Sequence, residues 1–126
     1  FRRKLMASYI IHALLLAFIQ IWIVPMAFNI KNFSWLTSNR DEAVDLSVMA
    51  GRAKRASVNL QESLPAFLAL ALLSMQLSVD VTGLACWWLV FRVGHLITYI
   101  AGIALLRTLT WLGSIASLIM MALALV

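Results

Sequence analysis

Long apolar runs, separated by short polar segments, make up most of the chain. No residue between Lys4 and Lys31 carries a formal charge when His12 is neutral. Positions 63–79 and 108–126 are also uncharged, and positions 81–106 are interrupted only by Arg92. A helix needs ~20 predominantly apolar residues to cross the hydrocarbon core of a bilayer. The pattern predicts an all-α integral membrane protein, a four-transmembrane-helix bundle with helices at about residues 4–29, 41–76, 81–105 and 108–126.

The composition points to the same class of protein. Apolar residues account for 63% of the chain and charged residues for 12%, whereas an ordinary soluble domain carries about 25% charged residues. The mean hydropathy is +0.96. A soluble fold is thereby excluded, and 126 residues suffice for a single domain, residues 1–126, but not for two.

The net charge of +5 could indicate a nucleic-acid partner, but the distribution of the cations argues against it. No soluble fold is available to present them, and cations at membrane interfaces are ordinary. With four spans, six cations fall on one side of the membrane and three on the other, which favours a cytoplasmic location for the larger set. The larger set is Lys31, Arg40, Arg52, Lys54, Arg55 and Arg107. Membrane lipids, and no nucleic acid, are therefore the expected partners.

Two stripes of polar residues interrupt the apolar helices. Arg52, Arg55, Asn59 and Glu62 follow one another at spacings of 3, 4 and 3 in the second helix, and Arg92, His95 and Tyr99 at spacings of 3 and 4 in the third. Such spacings place side chains on one face of a helix. Taken singly, each residue has a simpler interpretation: the arginines and Tyr99 as interface anchors, and His95 as a packed, hydrogen-bonded side chain.

Counting from the turn at Asp80 shows that the two stripes match in depth. Glu62 and Tyr99 lie 18 and 19 residues from this turn, and Arg55 and Arg107 lie 25 and 27 residues from it. Because each helical residue rises ~1.5 Å, the members of each pair are nearly level in the membrane. The matching depths predict one shared polar site.

Arg92 lies closer to the centre of its helix, 12 residues from Asp80. A lone arginine at such a depth costs at least ~2.5 kcal/mol on insertion scales, so it requires a partner. Glu62 is the acid within reach, at an axial offset of ~9 Å. We therefore predict a structural buried pair of Glu62 and Arg92.

The same segments resemble a known family. "RASVNLQESLP" resembles the second-helix motif of MAPEG, the membrane-associated proteins in eicosanoid and glutathione metabolism, and "FRVGHLITYIAG" resembles the third-helix motif. "NRDEAVDLSVMAGRAKRA" and "LLRTLTWLG" are similar to the bacterial branch. The resemblance covers nearly the whole chain. It implies a homotrimer of four-helix protomers that bind glutathione between neighbours near the cytoplasmic face, without a metal.

The resemblance also implies roles for individual residues. Arg55 would bind a glutathione carboxylate, Asn59 the peptide, and Glu62 the γ-glutamyl amino group. His95 and Tyr99 would line the site, and Arg107, catalytic together with Tyr99, would favour thiolate over thiol. Arg52 belongs to the same binding set, and Lys31 takes the place of a helix 1 arginine found in some members. Thr108 follows Arg107 where some members have a serine.

Two functions follow as hypotheses. The first is a glutathione-dependent transferase or peroxidase that acts on a lipophilic small-molecule substrate, an electrophile or a lipid hydroperoxide, entering from the bilayer. The second is a non-catalytic MAPEG-like subunit that binds lipid or packs in a larger membrane complex. Gly113, Ser114 and Ser117 would allow close packing of the fourth helix in such a complex. The expected location is a bacterial inner membrane.

Overall fold

The computed structural model describes residues 2–28, 34, 37–39 and 47–126. These residues form four helices long and apolar enough to cross a membrane, and none of them lies in a strand. The helices are α1 (Arg3–Phe28), α2 (Val48–Leu77), α3 (Thr82–Ala101) and α4 (Ala104–Ala124). The prediction of an all-α, multi-pass membrane protein is therefore confirmed.

Helix α1 contains one π-helical turn. The α-helical segment Arg3–Phe18 passes into the π turn Ile19–Ile23 and then into Val24–Phe28, which contains Pro25. A proline lacks the amide hydrogen and clashes with the carbonyl four residues earlier, and a widened turn at that point relieves both effects. The side chain of Gln20 is buried within this turn.

Helix α2 begins with a side-chain cap. Ser47 Oγ accepts a hydrogen bond from the Ala50 amide at 3.1 Å, as a serine N-cap does. The start expected near residue 41 lies outside the described residues, and the observed helix begins at Val48. It then continues through Pro65 and ends at Ser78, which has a left-handed conformation.

The turn between α2 and α3 is anchored by Asp80. Its carboxylate accepts hydrogen bonds from the Thr82 amide at 3.0 Å and the Thr82 hydroxyl at 2.7 Å. Arg2 Nε lies 4.0 Å from the same carboxylate, and Arg3 donates to Ser78 Oγ at 2.6 Å. The start of α1 therefore lies beside this turn, and α1 runs antiparallel to α2.

Helix α4 begins earlier than the predicted residue 108. Gly102 ends α3 in the left-handed region, with φ 78°, and Ile103 is extended, so α4 starts at Ala104. The difference matters for function, because it places Arg107 within the first turn of α4 rather than before it.

The core joins all four helices, and α1 contributes Met6, Ala13, Leu16 and Ala17 to it. The rings of Phe67 and Trp88 stack with centroids 4.0 Å apart, and both side chains are fully buried. Gly113 faces the ring of Phe91, and Ser114 is fully buried. Gly113 and Ser114 of α4 thus pack against α3 inside the bundle.

Candidate functional site

Tyr99 lies at the centre of the polar cluster. Its ring centroid lies 5.0 Å from Arg107 Cζ and 6.0 Å from Arg55 Cζ, and the ring of His95 meets it edge-on at 5.4 Å. These contacts bring together α2, α3 and α4. Arg55 and Arg107, which the residue count places at nearly the same depth, therefore both lie near the ring of Tyr99.

Three neighbouring cavities lie in this region and share lining residues, and Tyr99 lines the first and the third of them. The first, of about 240 Å³, lies between α2 and α3; the second, of about 190 Å³, lies beside α4; the third, of about 280 Å³, lies at the α3–α4 turn. Asn59 lines the first and second, whereas Arg107 lines the second and third. The shared residues show that the three cavities are neighbours around the ends of α2, α3 and α4.

The first cavity carries charges of both signs. Lys54, Arg55 and Glu62 line it, and all three side chains are exposed on the surface of the bundle. Glu62 lies 18 residues from Asp80, or ~27 Å along the helix, close to the far boundary of a ~30 Å hydrocarbon core. The cavity therefore opens sideways from the bundle near one membrane interface.

Arg92 is not paired directly with Glu62, contrary to the prediction. The Arg92 side chain is 1% exposed; it donates from Nη2 to Asn59 Oδ1 at 2.9 Å and from Nη1 to Ser114 Oγ at 3.4 Å. Asn59 is half-buried and faces the bundle, whereas Glu62, three residues further along, faces outward. Glu62 still acts on Arg92 electrostatically, but from beyond ion-pair distance.

Arg52 makes a structural contact that the sequence did not indicate. Its Nη1 donates to the carbonyl oxygen of Ile100 at 3.2 Å, and its guanidinium lies against Gly102. Cations that bind the last carbonyls of a helix favour that helix end. Arg52 thus caps α3, although it also lines the third cavity.

The lining of the second cavity includes Thr108 and Trp111, two residues that are not in the set of site residues predicted from the sequence. His95, Arg107 and Thr108 line it, and Trp111 completes it. Trp111 lies four residues after Arg107, a spacing that places both on one face of α4 and could have indicated its position. Ser114, the second partner of Arg92, lies three residues further along the same face.

The electrostatic character of the second and third cavities is positive. Arg107 lies in the first turn of α4, whose N-terminus has no side-chain cap. A helix N-terminus carries a partial positive charge, and the guanidinium adds to it. His95 is 1% exposed, and its Nδ1 has no hydrogen-bond partner within the described part of the chain. This part of the site is suited to an anion.

Two further points concern residues and groups outside this cluster. Lys31, predicted to contact the ligand, lies outside the described residues. Within residues 2–28, 34, 37–39 and 47–126, no group of three or more His, Cys, Asp or Glu side chains could hold a metal ion.

The structure is thus a bundle of four helices long and apolar enough to span a membrane, with a cluster of arginine side chains around the turn between α3 and α4. A sequence model of the MAPEG family matches residues 5–126, and the chain therefore belongs to the MAPEG family. Comparisons with curated proteins and with solved structures gave no significant match. At the level of the family, membership supports a membrane protein of glutathione-related transferase or peroxidase chemistry.

Proposed function

We propose that the protein is a membrane-bound glutathione-dependent enzyme that acts on lipophilic electrophiles or lipid hydroperoxides. One observation carries the proposal: three neighbouring cavities share Asn59, Tyr99, Arg55 and Arg107 among their lining residues, and their walls combine several cations with a single carboxylate. Glutathione has the complementary pattern of two carboxylates, one ammonium group, two peptide groups and a thiol.

The ligand fits the cavities group by group. Arg55 and Lys54 provide cations for a carboxylate, and Glu62 in the same cavity provides an acceptor for the γ-glutamyl ammonium group. Asn59 lies between this cavity and the next, where a peptide group would pass. The thiol then reaches the positive region near Arg107.

A second copy of the chain is proposed to complete the site. Arg55 and Glu62 are exposed on the side of the protomer, and charged groups near hydrocarbon are costly unless they are paired or covered. Packing of protomers into a homotrimer, with α2 and α3 at the interface, would cover these charges and enclose the ligand. Chemical cross-linking of the detergent-solubilised protein tests this arrangement, and cross-links that stop at a dimer contradict it.

Arg107 is the proposed activating group. A guanidinium beside a thiol stabilises the thiolate, which is the nucleophile. With an unsaturated carbonyl electrophile, the thiolate sulfur bonds to the electrophilic carbon, the electron pair of the double bond moves toward the carbonyl oxygen, and the resulting enolate takes a proton from solvent, which balances the proton that the thiol released. With a hydroperoxide, the thiolate attacks the terminal oxygen; a second glutathione then yields the disulfide, so that one hydroperoxide and two glutathiones give an alcohol, water and glutathione disulfide.

Tyr99 holds the arginines and contributes to the site. Arg107 Cζ lies 5.0 Å and Arg55 Cζ 6.0 Å from the centroid of its ring, within the range of cation–π attraction. The Tyr99 side chain also lines the third cavity together with Arg107. We propose that its hydroxyl donates a hydrogen bond to the thiolate.

The first experiment is calorimetric titration of glutathione into the detergent-purified protein, with ultraviolet thiolate absorbance followed in parallel. Arg55→Ala should weaken glutathione binding by about 30-fold, because a charge-assisted hydrogen bond contributes about 2 kcal/mol. Arg107→Ala should retain binding but lose most of the thiolate signal at neutral pH. Arg2→Ala, at the opposite end of the bundle, is the matched control and should change neither quantity.

The results separate the enzyme from a non-catalytic subunit. Saturable binding with thiolate absorbance, followed by turnover of electrophiles, supports the enzyme. No binding at millimolar glutathione contradicts it. A docking role for the small residues of α4 has less support, because Gly113 and Ser114 already pack against α3.

A further inference from the structure

The side-chain amide of Asn59 is held by a buried cation. Arg92 Nη2 donates to Asn59 Oδ1 at 2.9 Å, and Arg92 Nη1 donates to Ser114 Oγ at 3.4 Å. A guanidinium has hydrogen-bond donors and no acceptor. Asn59 must therefore turn its carbonyl oxygen toward Arg92, because the flipped amide would oppose donor to donor at this distance.

The opposite end of the same amide is left for a ligand. Asn59 Nδ2 has no hydrogen-bond partner within the described part of the chain, and it is not among the buried unpartnered atoms. Asn59 lines both the first and the second cavity. In a freely rotating asparagine either end of the amide can face a ligand, whereas here Arg92 holds the oxygen and leaves the N–H group as the end that faces away from it.

The bond also strengthens that donor. A hydrogen bond to a charged group polarises the amide, and polarised groups bind more strongly in surroundings of low dielectric constant. Arg92 is 1% exposed, so water does not screen the contact. Burying a charged side chain in a membrane helix costs free energy, and the contact with Asn59 gives Arg92 a role in the site besides its packing.

We infer that Arg92 is a positioning residue that makes Asn59 a dedicated donor, so that the site selects ligands with a carbonyl or carboxylate oxygen between the first and second cavities. The identity of that ligand as glutathione rests on the proposed function. The orientation of Asn59 does not.

The test uses a substitution that keeps the contact with Arg92 and removes the donor. Asn59→Asp has nearly the same shape, pairs its carboxylate with Arg92, and has no N–H to offer. Its melting temperature in detergent should equal or exceed that of the unaltered protein, whereas its Kd for glutathione should be at least tenfold weaker, since a lost donor leaves the ligand acceptor unpaired. Asn59→Leu should lower the melting temperature, because it leaves Arg92 Nη2 unpaired. Gln76→Glu, the same amide-to-carboxylate change near the other end of α2, is the control for added charge and should leave the Kd unchanged.

Substitutions of Arg92 separate positioning from stability. Arg92→Met should change the melting temperature little, because it removes the cost of burying a charge while Asn59 lines a cavity and Ser114 Oγ keeps its hydrogen bond to the Trp111 carbonyl oxygen. It should nevertheless weaken glutathione binding several-fold, since Asn59 is then free to flip. Arg92→Lys restores a donor to Asn59 Oδ1 and should restore most of the affinity.

The inference is overturned if Asn59→Asp binds glutathione as tightly as the unaltered protein does. It is equally overturned if Asn59→Asp lowers the melting temperature as much as Asn59→Leu does, because the asparagine oxygen would then not face Arg92. If the unaltered protein binds no glutathione, the proposed function fails. The comparison of the two melting temperatures still decides the orientation of Asn59.

Discussion

Gly102 lies where both the backbone and a neighbouring side chain require glycine. Its φ of 78° is in the left-handed region. A Cβ added there would lie 2.8 Å from Arg52 Nη1 and 2.9 Å from Arg52 Cζ and Nη2. Gly102→Ala should therefore strain the backbone, at a cost of ~1–2 kcal/mol, and displace Arg52 from the Ile100 carbonyl, at a cost of about 1 kcal/mol. Together these effects should lower the free energy of unfolding by about 2–3 kcal/mol.

The measurement is equilibrium unfolding in mixed micelles with rising sodium dodecyl sulfate, followed by helical circular dichroism. Gly83→Ala is the matched control. A Cβ at Gly83 meets no atom within 4 Å, and the residue lies in the first turn of α3. Because alanine favours a helix over glycine by up to ~1 kcal/mol, this control should leave stability unchanged or raise it.

An Arg52→Ala background isolates the contribution of the contact. If Arg52 lies over Gly102 as described, Gly102→Ala should cost about 1 kcal/mol less in this background than in the unaltered chain, because the displaced contact is already absent. Equal penalties in both backgrounds would refute the cap, and so would a Gly102→Ala penalty no larger than that of Gly83→Ala.

Three other changes have defined outcomes. Gly113→Ala should cost ~1–3 kcal/mol in the same unfolding assay, because its Cβ would lie 2.6 Å from a ring carbon of Phe91; a neutral result would show that the ring moves freely. Ser47→Ala should cost ~1 kcal/mol and Ser47→Asp little, as for an N-cap; equal losses would contradict the cap. Hydrogen bonds from the Thr82 hydroxyl and amide hold the pKa of Asp80 below its ordinary value, so their stabilisation is present above that value and is lost as the pH falls through the lowered one. The difference in melting temperature between the unaltered protein and Asp80→Asn should therefore shrink on acidification, and a constant difference would contradict this assignment.

The depth of the site in the membrane could be predicted from sequence because a helix rises by a constant amount per residue. Counting from Asp80 placed Glu62 beside Tyr99 and Arg55 beside Arg107, and the structure brings Arg55, Tyr99 and Arg107 into contact. The apolar runs likewise predicted four spanning helices correctly, because the thickness of a bilayer sets their length.

The direction of each side chain around its helix could not be predicted in the same way. Asn59 and Glu62 belong to one stripe, yet Asn59 faces Arg92 and Glu62 faces outward. A residue count gives height but not the rotation of one helix against the next, and a long arginine side chain compensates for differences in height. The predicted start of α4 at residue 108 is wrong for another reason. The charge of Arg107 marks the end of an apolar run, but the chain turns earlier, at Gly102, and α4 begins at Ala104.

The π turn at Ile19–Ile23 has a consequence for how α1 should be compared with other helices. A π turn accommodates one residue more than an α turn, so each position after Ile23 is rotated by about 100° relative to the pattern that precedes Ile19. A single-residue deletion within this turn would convert it into an ordinary α turn and leave the last segment, Val24–Phe28, on the face that it now occupies. Any helical-wheel projection or sequence alignment of α1 must therefore allow a one-residue gap at this point, because otherwise lipid-facing and bundle-facing positions are exchanged.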